Sequence, residues 1–264
     1  MQGMAVYPWR AALITGASSG LGRALAEALA APGAALCLTG RDAARLAEAA
    51  AACRARGATV REALVDVRDA AAMEALIRGA GRLDLVIANA GVSAGTGGAS
   101  EPADQARAIM AVNVTGMLNT AIPALEVMAA QEPGPDGLRG RVAVIASIAG
   151  FVAAPGAPAY CASKFAARAW AEAADGAARP RGLRVHAICP GYVRTPMTAR
   201  NAFPMPLLMD AEDAARRTLD GIARGRVRIA YPRRLYAMAR LIGALPPAWL
   251  SALMRLFPAK ARGG

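Results

Sequence analysis

The sequence is poor in the residues that bind metals or form disulfides. It has one histidine and four cysteines among 264 residues, and no two cysteines form a CxxC pair. Metal sites need such ligands clustered at short spacing, so we expect no metal site and a structural role for His186 in its apolar run. Three of the four cysteines lie in apolar or alanine-rich surroundings, which is typical of reduced, buried thiols in a cytoplasmic protein. The cysteines are Cys37, Cys53, Cys161 and Cys189.

Long uncharged hydrophobic runs are also missing. The most lipophilic segment, residues 236–257, is interrupted by Arg240, Arg255 and two prolines, so we expect no membrane-spanning helix there. The first residues do not combine a charged start, a long apolar stretch and a small-residue cleavage site, so we expect no signal peptide. Both expectations agree with a cytoplasmic location.

Lysine is nearly absent, whereas arginine is abundant. The net charge is +12, and only two lysines occur. A basic protein can bind nucleic acid when its positive residues cluster, but these arginines are spread from Arg10 to Arg262 with only short groups between. We therefore expect no nucleic-acid partner, and we interpret the charge as a solvated surface that favours an anionic cofactor.

Short apolar runs alternate with longer helical patterns rich in alanine, leucine and arginine. This alternation is typical of βαβ units, which build parallel sheets. It predicts an α/β fold: a single doubly wound Rossmann-type domain over residues 1–264, with a seven-stranded parallel sheet flanked by helices on both faces. The predicted strands are 11–15, 34–39, 59–64, 83–88, 141–147, 183–189 and 227–230. The predicted helices are 20–31, 42–56, 69–79, 104–130, 157–178 and 211–224, followed by a helical C-terminal tail at 233–260.

A glycine-rich turn joins the first predicted strand to the first helix, with the sequence Thr15-Gly16-Ala17-Ser18-Ser19-Gly20-Leu21-Gly22. Glycines let the backbone approach a pyrophosphate, and the helix N-terminus offers it free amides and a positive dipole end. The spacing TGxxxGxG differs from the commoner GxGxxG, and the alternative is a turn of small residues without a ligand. The residues assigned to cofactor binding here are Gly16, Ser18, Ser19, Gly20, Leu21 and Gly22.

The residues after the second strand bear on the choice between NAD and NADP. An NAD site usually has an acidic side chain here for the ribose hydroxyls. This chain has Gly40, which removes that carboxylate, and Arg41, whose guanidinium can bind a 2′-phosphate. Asp42 either caps the next helix, as we expect, or turns toward the ribose. The sequence therefore favours NADP(H) over NAD(H).

Tyr160 and Lys164 are four residues apart on a predicted helix, so they lie on the same helix face. A phenol with an ordinary pKa of about 10 is a weak acid–base catalyst at neutral pH, and a neighbouring ammonium favours its ionised form. This pair predicts acid–base chemistry. The alternative is a tyrosine and a lysine that only pack together on an amphipathic helix.

Several motifs occur together in one order, and with them the chain resembles the short-chain dehydrogenase/reductase family over about residues 10 to 232. The motifs are the glycine-rich turn, Asn89-Ala90-Gly91 after the fourth strand, Ser147 after the fifth, Tyr160-x-x-x-Lys164, and Pro190-Gly191 after the sixth. The resemblance implies an NAD(P)-dependent oxidoreductase that acts on CH–OH/C=O groups.

The resemblance also implies a role for each catalytic residue. Tyr160 would be the general acid in reduction and the general base in oxidation. Lys164 would hold the nicotinamide ribose and lower the pKa of Tyr160. Ser147 would bind the carbonyl oxygen, and Asn113 would support a water-linked proton path through Lys164.

By the same resemblance, Asp66 would receive the adenine amino group and Thr195 would bind the nicotinamide carboxamide. The other cofactor-binding residues that it implies are Val67, Asn89, Ala90, Gly91, Tyr160, Lys164, Pro190, Gly191 and Val193. The long helices at 104–130 and 157–178 would pair across a two-fold axis, which implies a homodimer or homotetramer. The alternative function is a catalytically silent NADP(H)-sensing binding protein.

Residues 196–210 form the predicted substrate loop, which is broken by prolines and rich in methionine, leucine and phenylalanine. Such an adaptable wall favours an apolar ketone, aldehyde or alcohol as the small-molecule substrate. The alternative is that these residues pack under the C-terminal helices. The basic, apolar tail at 233–260 could cover a neighbouring subunit, cap the cleft or touch a membrane surface.

Overall fold

Seven strands form one sheet in which every neighbouring pair is parallel. The computed structural model describes residues 7–201 and 203–254. The strands are β1 (Ala11–Ile14), β2 (Ala35–Gly40), β3 (Thr59–Leu64), β4 (Leu85–Ala88), β5 (Gly140–Ile145), β6 (Leu183–Pro190) and β7 (Arg228–Tyr231). Their order across the sheet is β3-β2-β1-β4-β5-β6-β7. The predicted seven-stranded parallel sheet is confirmed.

Helices cover both faces of this sheet. They are α1 (Gly20–Leu29), α2 (Ala43–Arg54), α3 (Ala70–Arg78), α4 (Ala103–Met110), α5 (Gly116–Ala129), α6 (Pro158–Ala178), α7 (Ala211–Ala223), α8 (Arg233–Gly243) and α9 (Pro247–Met254). The apolar sides of α1, α2 and α7 pack on one face, and those of α3, α5 and α6 pack on the other. The doubly wound arrangement is therefore also confirmed.

The central strands are apolar at every position because both of their faces are buried. In β1, Leu13 packs toward α3, α5 and α6, whereas Ile14 packs toward α1, α2 and α7. In β4, Val86 and Ile87 divide in the same way. The strand order reverses between β1 and β4, and the carboxyl ends of parallel strands diverge at such a point to leave a ligand-binding crevice.

The prediction of one uninterrupted α-helix at 104–130 is wrong in detail. The chain forms α4, then a π-helical turn at Ala111–Thr115, then α5. Among the described residues, the run Ala103–Ala129 is the one segment long and apolar enough to span a membrane, yet it packs against α3, α6 and the sheet. The π-helical turn carries Asn113, and such turns occur often at functional sites.

The fifth strand is shorter than the predicted 141–147, because it ends at Ile145. Ser147 has extended backbone and precedes a 3₁₀ turn at Ile148–Phe151. Its hydroxyl accepts a hydrogen bond from the Ala149 amide at 3.1 Å. Ser147 therefore lies beyond the strand pairing, with its side chain held at the carboxyl edge of the sheet.

The helical tail consists of two helices rather than one. Helix α8 ends at Gly243 and α9 begins at Pro247, because the two adjacent prolines Pro246 and Pro247 cannot donate the backbone hydrogen bonds that continue a helix. Of its apolar residues, Leu235 is buried but Met238 is 46% exposed, so the expected apolar stripe is only partly covered. The last predicted positions, 255–260, lie outside the described residues.

Candidate active site

The glycine-rich turn between β1 and α1 is built for close backbone approach. Gly16 and Gly20 have φ angles of +65° and +55°, in the left-handed region that favours glycine. A Cβ atom at Gly22 would lie 2.3 Å from the carbonyl oxygen of Gly16. Within the described part of the chain, Ser19 does not bond the first amides of α1 with its side chain, so these amides are available to an anion.

Asn89 ties this turn to the end of β4. Its Nδ2 donates to the carbonyl oxygens of Thr15 at 2.9 Å and Gly16 at 3.1 Å. In return, Thr15 Oγ1 accepts from the amides of Asn89 at 3.0 Å and Ala90 at 3.1 Å. These four bonds cross between two strands, so the amide groups of the turn are held in place before any ligand arrives.

The residues after β2 form the end of the cleft where an adenosine ribose would lie. Asp42 caps α2, because its carboxylate accepts from the Arg45 amide at 3.0 Å, and this bond lowers the pKa of Asp42. The expectation that Asp42 is a helix cap is confirmed. The Arg41 guanidinium is 62% exposed and lies 3.8 Å from a carboxylate oxygen of Asp66. A Cβ at Gly40 would lie 3.3 Å from Ser18.

Asp66 is held by its own neighbour, Arg68. Its carboxylate accepts from the Arg68 amide at 2.9 Å and from the guanidinium at 2.7 Å, and these bonds lower the pKa of Asp66. The carboxylate therefore stays ionised at the cleft wall, where it can accept a hydrogen bond. Its contact with an adenine amino group stays a prediction.

Tyr160 and Lys164 lie in the first two turns of α6. The Tyr160 side chain hydrogen-bonds with both Ser147 and Ser93. The Lys164 side chain is buried, its Nζ donates to the carbonyl oxygen of Ile145 at 2.8 Å, and this nitrogen lies 5.9 Å from the centre of the Tyr160 ring. The structure thus brings the phenol, the Ser147 hydroxyl and the ammonium together at one end of the cleft.

Burial dominates the pKa of Tyr160, and the lowering by Lys164 that the resemblance implies stays a prediction. Burial raises this pKa above the ordinary tyrosine value and outweighs the hydrogen bonds from Ser147 and Ser93, which lower it. The Lys164 ammonium donates a hydrogen bond to the carbonyl oxygen of Ile145, at the carboxyl end of β5. In this structure the phenol therefore keeps its proton at neutral pH, which suits a proton donor.

Asn113 lies behind the wall of the cleft rather than on it. This side chain is 2% exposed. Its amide accepts from Val92 N at 2.8 Å and donates to Val92 O and to Ser163 Oγ, both at 3.0 Å. Ser163 Oγ in turn donates to the carbonyl oxygen of Tyr160 at 2.7 Å. A Cβ at Gly91 would lie 3.2 Å from Asn113 Oδ1 and 3.6 Å from Lys164 Nζ.

One cleft of about 360 Å³ gathers the other predicted site residues. Those that line it are Gly16, Ser18, Ser19, Gly20, Leu21, Gly22, Arg41, Asp66, Val67, Asn89, Ala90, Gly91, Ser147, Tyr160, Lys164, Pro190, Gly191, Val193 and Thr195. Ser93 and Ser163 were not among the predicted site residues. Ser93 hydrogen-bonds with the Tyr160 side chain, and Ser163 hydrogen-bonds with the Tyr160 backbone. A hydroxyl two residues after Asn89-Ala90-Gly91 was the available signal for Ser93.

The start of the predicted substrate loop, residues 196–198, lines the cleft next to the glycine-rich turn. A Cβ at Gly20 would lie 3.0 Å from Thr195 Cγ2, so the loop begins against that turn. Near the end of this loop, Met209 N donates to the carbonyl oxygen of Tyr192 at 3.0 Å, which joins it to the segment that precedes the loop. Met197 lines the cleft and is 40% exposed. The Phe203 ring packs edge-on against Tyr192, with 6.1 Å between ring centres.

His186 lies inside the sheet, away from this cleft. It is fully buried in β6, and its Nδ1 bonds the carbonyl oxygen of Arg226 at 2.7 Å. Burial lowers the pKa of His186 to about 4, so the ring is neutral at physiological pH. Its surroundings are those of a core residue, as expected from its apolar run.

Comparison with known proteins identifies relatives of this site and fold. The short chain dehydrogenase family matches residues 10–203. An uncharacterized oxidoreductase of Myxococcus xanthus is 38% identical over 258 residues, covering 96% of this chain and 100% of that protein. A short chain dehydrogenase/reductase from Burkholderia phymatum, solved with NAD, has a TM-score of 0.80 at 28% identity and covers 90% of this chain and 94% of its own. A short-chain dehydrogenase from Sphingobium yanoikuyae, solved with NADPH, has a TM-score of 0.76 at 28% identity, with coverages of 90% and 97%.

Proposed function

Because the chain belongs to the short-chain dehydrogenase/reductase family of NAD(P)-dependent oxidoreductases, we propose that Tyr160 exchanges a proton with its substrate during hydride transfer with NADP(H). The enzyme acts on CH–OH/C=O groups. The observation that carries the proposal is that the Tyr160 phenol hydrogen-bonds with Ser147 in the same cleft that holds the glycine-rich turn.

The residues of the turn fit a dinucleotide. A Cβ at Gly22 would collide with the backbone of Gly16, so only glycine allows the turn to be this tight. The uncapped amides at the start of α1 and the positive end of its helix dipole can together bind an anion. When bound, the nicotinamide supplies or accepts the hydride. Lys164 lines the cleft beside Tyr160, and its ammonium is the kind of donor that can hold ribose hydroxyls.

In carbonyl reduction, Tyr160 donates its proton to the substrate oxygen and Ser147 donates a hydrogen bond to the same oxygen. Both groups are anchored, Tyr160 on α6 and Ser147 by its bond from the Ala149 amide. This anchoring holds the carbonyl in a reactive orientation, which replaces a slow bimolecular encounter. In oxidation the same phenol, once ionised, removes the alcohol proton.

The preference for NADP(H) is supported by the charges at the ribose end. Asp42 is engaged as a helix cap, and the position where an NAD site usually has a carboxylate is Gly40. Arg41 stands exposed at the cleft, with a planar guanidinium suited to a phosphate. Among the relatives, one solved structure contains NAD and another NADPH, so the proposed preference rests on this chain's own residues.

The substrate we propose is apolar. Met197 lines the cleft, and the Phe203 ring packs against Tyr192, which lies between the cleft residues Gly191 and Val193. We further propose that residues 1–264 act as one cytoplasmic domain that forms a homodimer or homotetramer. Met110 and Ile122, on the helices expected to pair between subunits, are 39% and 44% exposed and support this assembly.

Replacing Tyr160 tests the proposed function. We expect Tyr160→Phe to lower kcat for carbonyl reduction by about 10²- to 10⁴-fold, because the general acid is lost, and to leave NADPH affinity within about 2-fold. A panel of ketones and aldehydes followed at the nicotinamide absorbance, with a fluorescence titration of NADPH, measures both. Equal turnover by Tyr160→Phe and the wild type contradicts the proposal. NADPH binding without turnover of any carbonyl by the wild type would instead favour the silent cofactor sensor.

The pH dependence follows from the raised pKa of Tyr160. Reduction needs the protonated phenol, so its kcat/KM should stay constant through neutral pH and fall only as pH rises through this raised pKa. Oxidation needs the ionised phenol, so its kcat/KM should rise with pH over the same range. A reduction rate that already falls between about pH 6 and 7 contradicts this assignment, since an ordinary tyrosine has a pKa of about 10.

A further inference from the structure

Ser93 lies on the loop that follows β4 and belongs to none of the motifs that mark the active site. We propose that Ser93 is a further catalytic residue, whose hydroxyl hydrogen-bonds the Tyr160 phenol while Ser147 binds the substrate oxygen. The inference rests on the proposed role of Tyr160. It assigns to Ser93 a hydrogen bond to the Tyr160 oxygen that persists throughout proton transfer.

Three separate elements bring hydroxyl groups to one point. Ser93 follows β4, Ser147 follows β5, and Tyr160 lies on α6. The Tyr160 side chain hydrogen-bonds with both serines, and Ser93 is half-buried. The phenol is therefore enclosed by two hydroxyls that arrive from neighbouring strand ends rather than from its own helix.

Asn113 fixes the backbone on both sides of the bond between Ser93 and Tyr160. Its amide pairs with the N–H and the carbonyl of Val92, the residue directly before Ser93. The same amide donates to Ser163, whose hydroxyl donates to the Tyr160 carbonyl. A single buried side chain thus sets the distance between the loop that carries Ser93 and the helix that carries Tyr160. Asn113 acts as a positioning residue although it lies behind the cleft wall.

Hydrogen-bond capacity separates the roles of the two serines. A serine hydroxyl has one hydrogen, so Ser147 cannot donate it to the substrate oxygen and to Tyr160 at the same time. The oxygen of Ser147 already accepts from the Ala149 amide. Once Ser147 turns its hydrogen to the substrate, Ser93 is the hydroxyl that remains to bond the phenol.

The proton transfer shows where Ser93 matters most. In reduction, the hydride forms a C–H bond with the carbonyl carbon, the O–H bond of Tyr160 breaks, and the substrate oxygen gains that proton. Tyr160 is left as a phenolate, which takes a proton from solvent before the next turnover. A hydroxyl that donates to the phenolate stabilises it, and bonds to a charged oxygen are about twice as strong as neutral ones.

The other groups around the phenol act differently. Cys161 on α6 and Tyr192 after β6 raise the pKa of Tyr160, as burial does, whereas the bonds from Ser93 and Ser147 lower it. The Lys164 ammonium lies 5.9 Å from the ring centre. Loss of the Ser93 hydroxyl should therefore move the ionisation of Tyr160 to higher pH.

The test compares Ser93→Ala with Ser93→Thr, which restores a hydroxyl, and with Ser251→Ala, the same change on an exposed residue of α9. We expect Ser93→Ala to lower kcat for alcohol oxidation by about 10-fold, the effect of one hydrogen bond to a charged group. Its kcat/KM–pH profile should shift to higher pH, with NADPH affinity unchanged. Ser93→Thr should restore the wild-type profile, and Ser251→Ala should match the wild type.

A second readout does not depend on turnover. In protein labelled with carbon-13 at the tyrosine Cζ atoms, the Tyr160 resonance is identified by its loss in Tyr160→Phe. We expect Ser93→Ala to move this resonance and Ser251→Ala to leave it in place. If Ser93→Ala fails to fold, as judged by circular dichroism, Ser93→Cys, which keeps nearly the same volume, decides by the same two readouts.

The outcomes separate this inference from the proposed function. An unmoved Tyr160 resonance and an unshifted pH profile in Ser93→Ala, with Tyr160→Phe inactive, would overturn the role of Ser93 alone. A fully active Tyr160→Phe would overturn the proposed function and, with it, the catalytic role of Ser93.

Discussion

The two ends of the cleft are built in different ways. At the phosphate end, the turn from Gly16 to Gly22 is bound to Asn89 by hydrogen bonds to its backbone. At the end where we propose that the substrate binds, backbone bonds join Met209 to Tyr192 and Arg194, and the side chains of Met197 and Leu207 are 40% and 48% exposed. The phosphate end therefore presents backbone groups that Asn89 holds in place, whereas the other end presents side chains on a loop.

This contrast reflects what each end has to recognise. A pyrophosphate has a constant shape and charge, so amides fixed by Asn89 and the N-terminus of α1 can match it with little adjustment. An apolar substrate is recognised by shape and contact area, which side chains on a loop provide and which vary without disturbing the sheet. Substitutions should therefore act through steric conflict at the first end and through lost contact at the second.

The largest effect should come from adding a side chain at the phosphate end. Gly22→Val should lower NADPH affinity by about 100-fold, because contacts this short place the cost of overpacking near the upper end of the usual range of about 1–3 kcal/mol. Its Cβ would lie 2.3 Å from Gly16 O and 2.4 Å from Asn89 Nδ2. Fluorescence titration of NADPH measures the affinity. The matched control is Gly176→Ala on α6, where an added Cβ meets nothing within 4 Å. If Gly22→Val bound NADPH with wild-type affinity, substitutions at the phosphate end would not act through steric conflict.

An intermediate effect is expected at the ribose, where the phosphate end depends on one side chain. Arg41→Glu should reduce the preference for NADPH over NADH by about 10- to 100-fold, since it removes a charge-assisted bond worth about 1.5–3 kcal/mol. Arg216→Glu makes the same charge change at a residue of similar exposure on α7, 57% against 62%. The ratio of kcat/KM values for the two cofactors is the measurement. If this ratio fell equally in Arg41→Glu and Arg216→Glu, the net charge of the protein, and not Arg41, would set the cofactor preference.

The smallest effect should come from the substrate loop. Phe203→Ala should raise KM for a bulky apolar ketone by about 3- to 10-fold, because it removes the ring that packs on Tyr192, and should leave NADPH affinity unchanged. Phe203→Leu, which keeps most of the apolar area, should have an intermediate KM. If NADPH affinity falls as much as the ketone KM rises, the two ends are not independent and the comparison fails.

Sequence patterns predicted most of the fold because they report burial. Strands buried on both faces, such as β1 and β4, read as apolar runs, and the helices between them read as amphipathic segments. The π-helical turn at Ala111–Thr115 could not be predicted in this way, since a single wider turn hardly changes the apolar periodicity over 27 residues. Pro246 and Pro247 mark the break between α8 and α9 in the sequence. Which side of α8 is buried could not be predicted, because it depends on contact with the 3₁₀ turn at Ile148–Phe151, which is distant along the chain.

The candidate site divides along similar lines. The glycines and the pair Tyr160 and Lys164 could be identified from spacing, because a tight turn and one helical turn are local geometries. The raised pKa of Tyr160 and its bond to Ser93 could not, because both depend on groups from β4, β5 and β6 that are distant along the chain.

What the amino-acid order established for this protein is therefore its local chemistry: a parallel α/β sheet, a glycine-rich turn and a phenol one helical turn from an ammonium. The packing of distant segments settled the rest. It placed Asn113 behind the wall, where one buried amide connects Val92 to Ser163, and it raised the pKa of the phenol by burial. Burial and hydrogen bonding between strand ends are set by three-dimensional neighbours, which spacing along the chain does not specify.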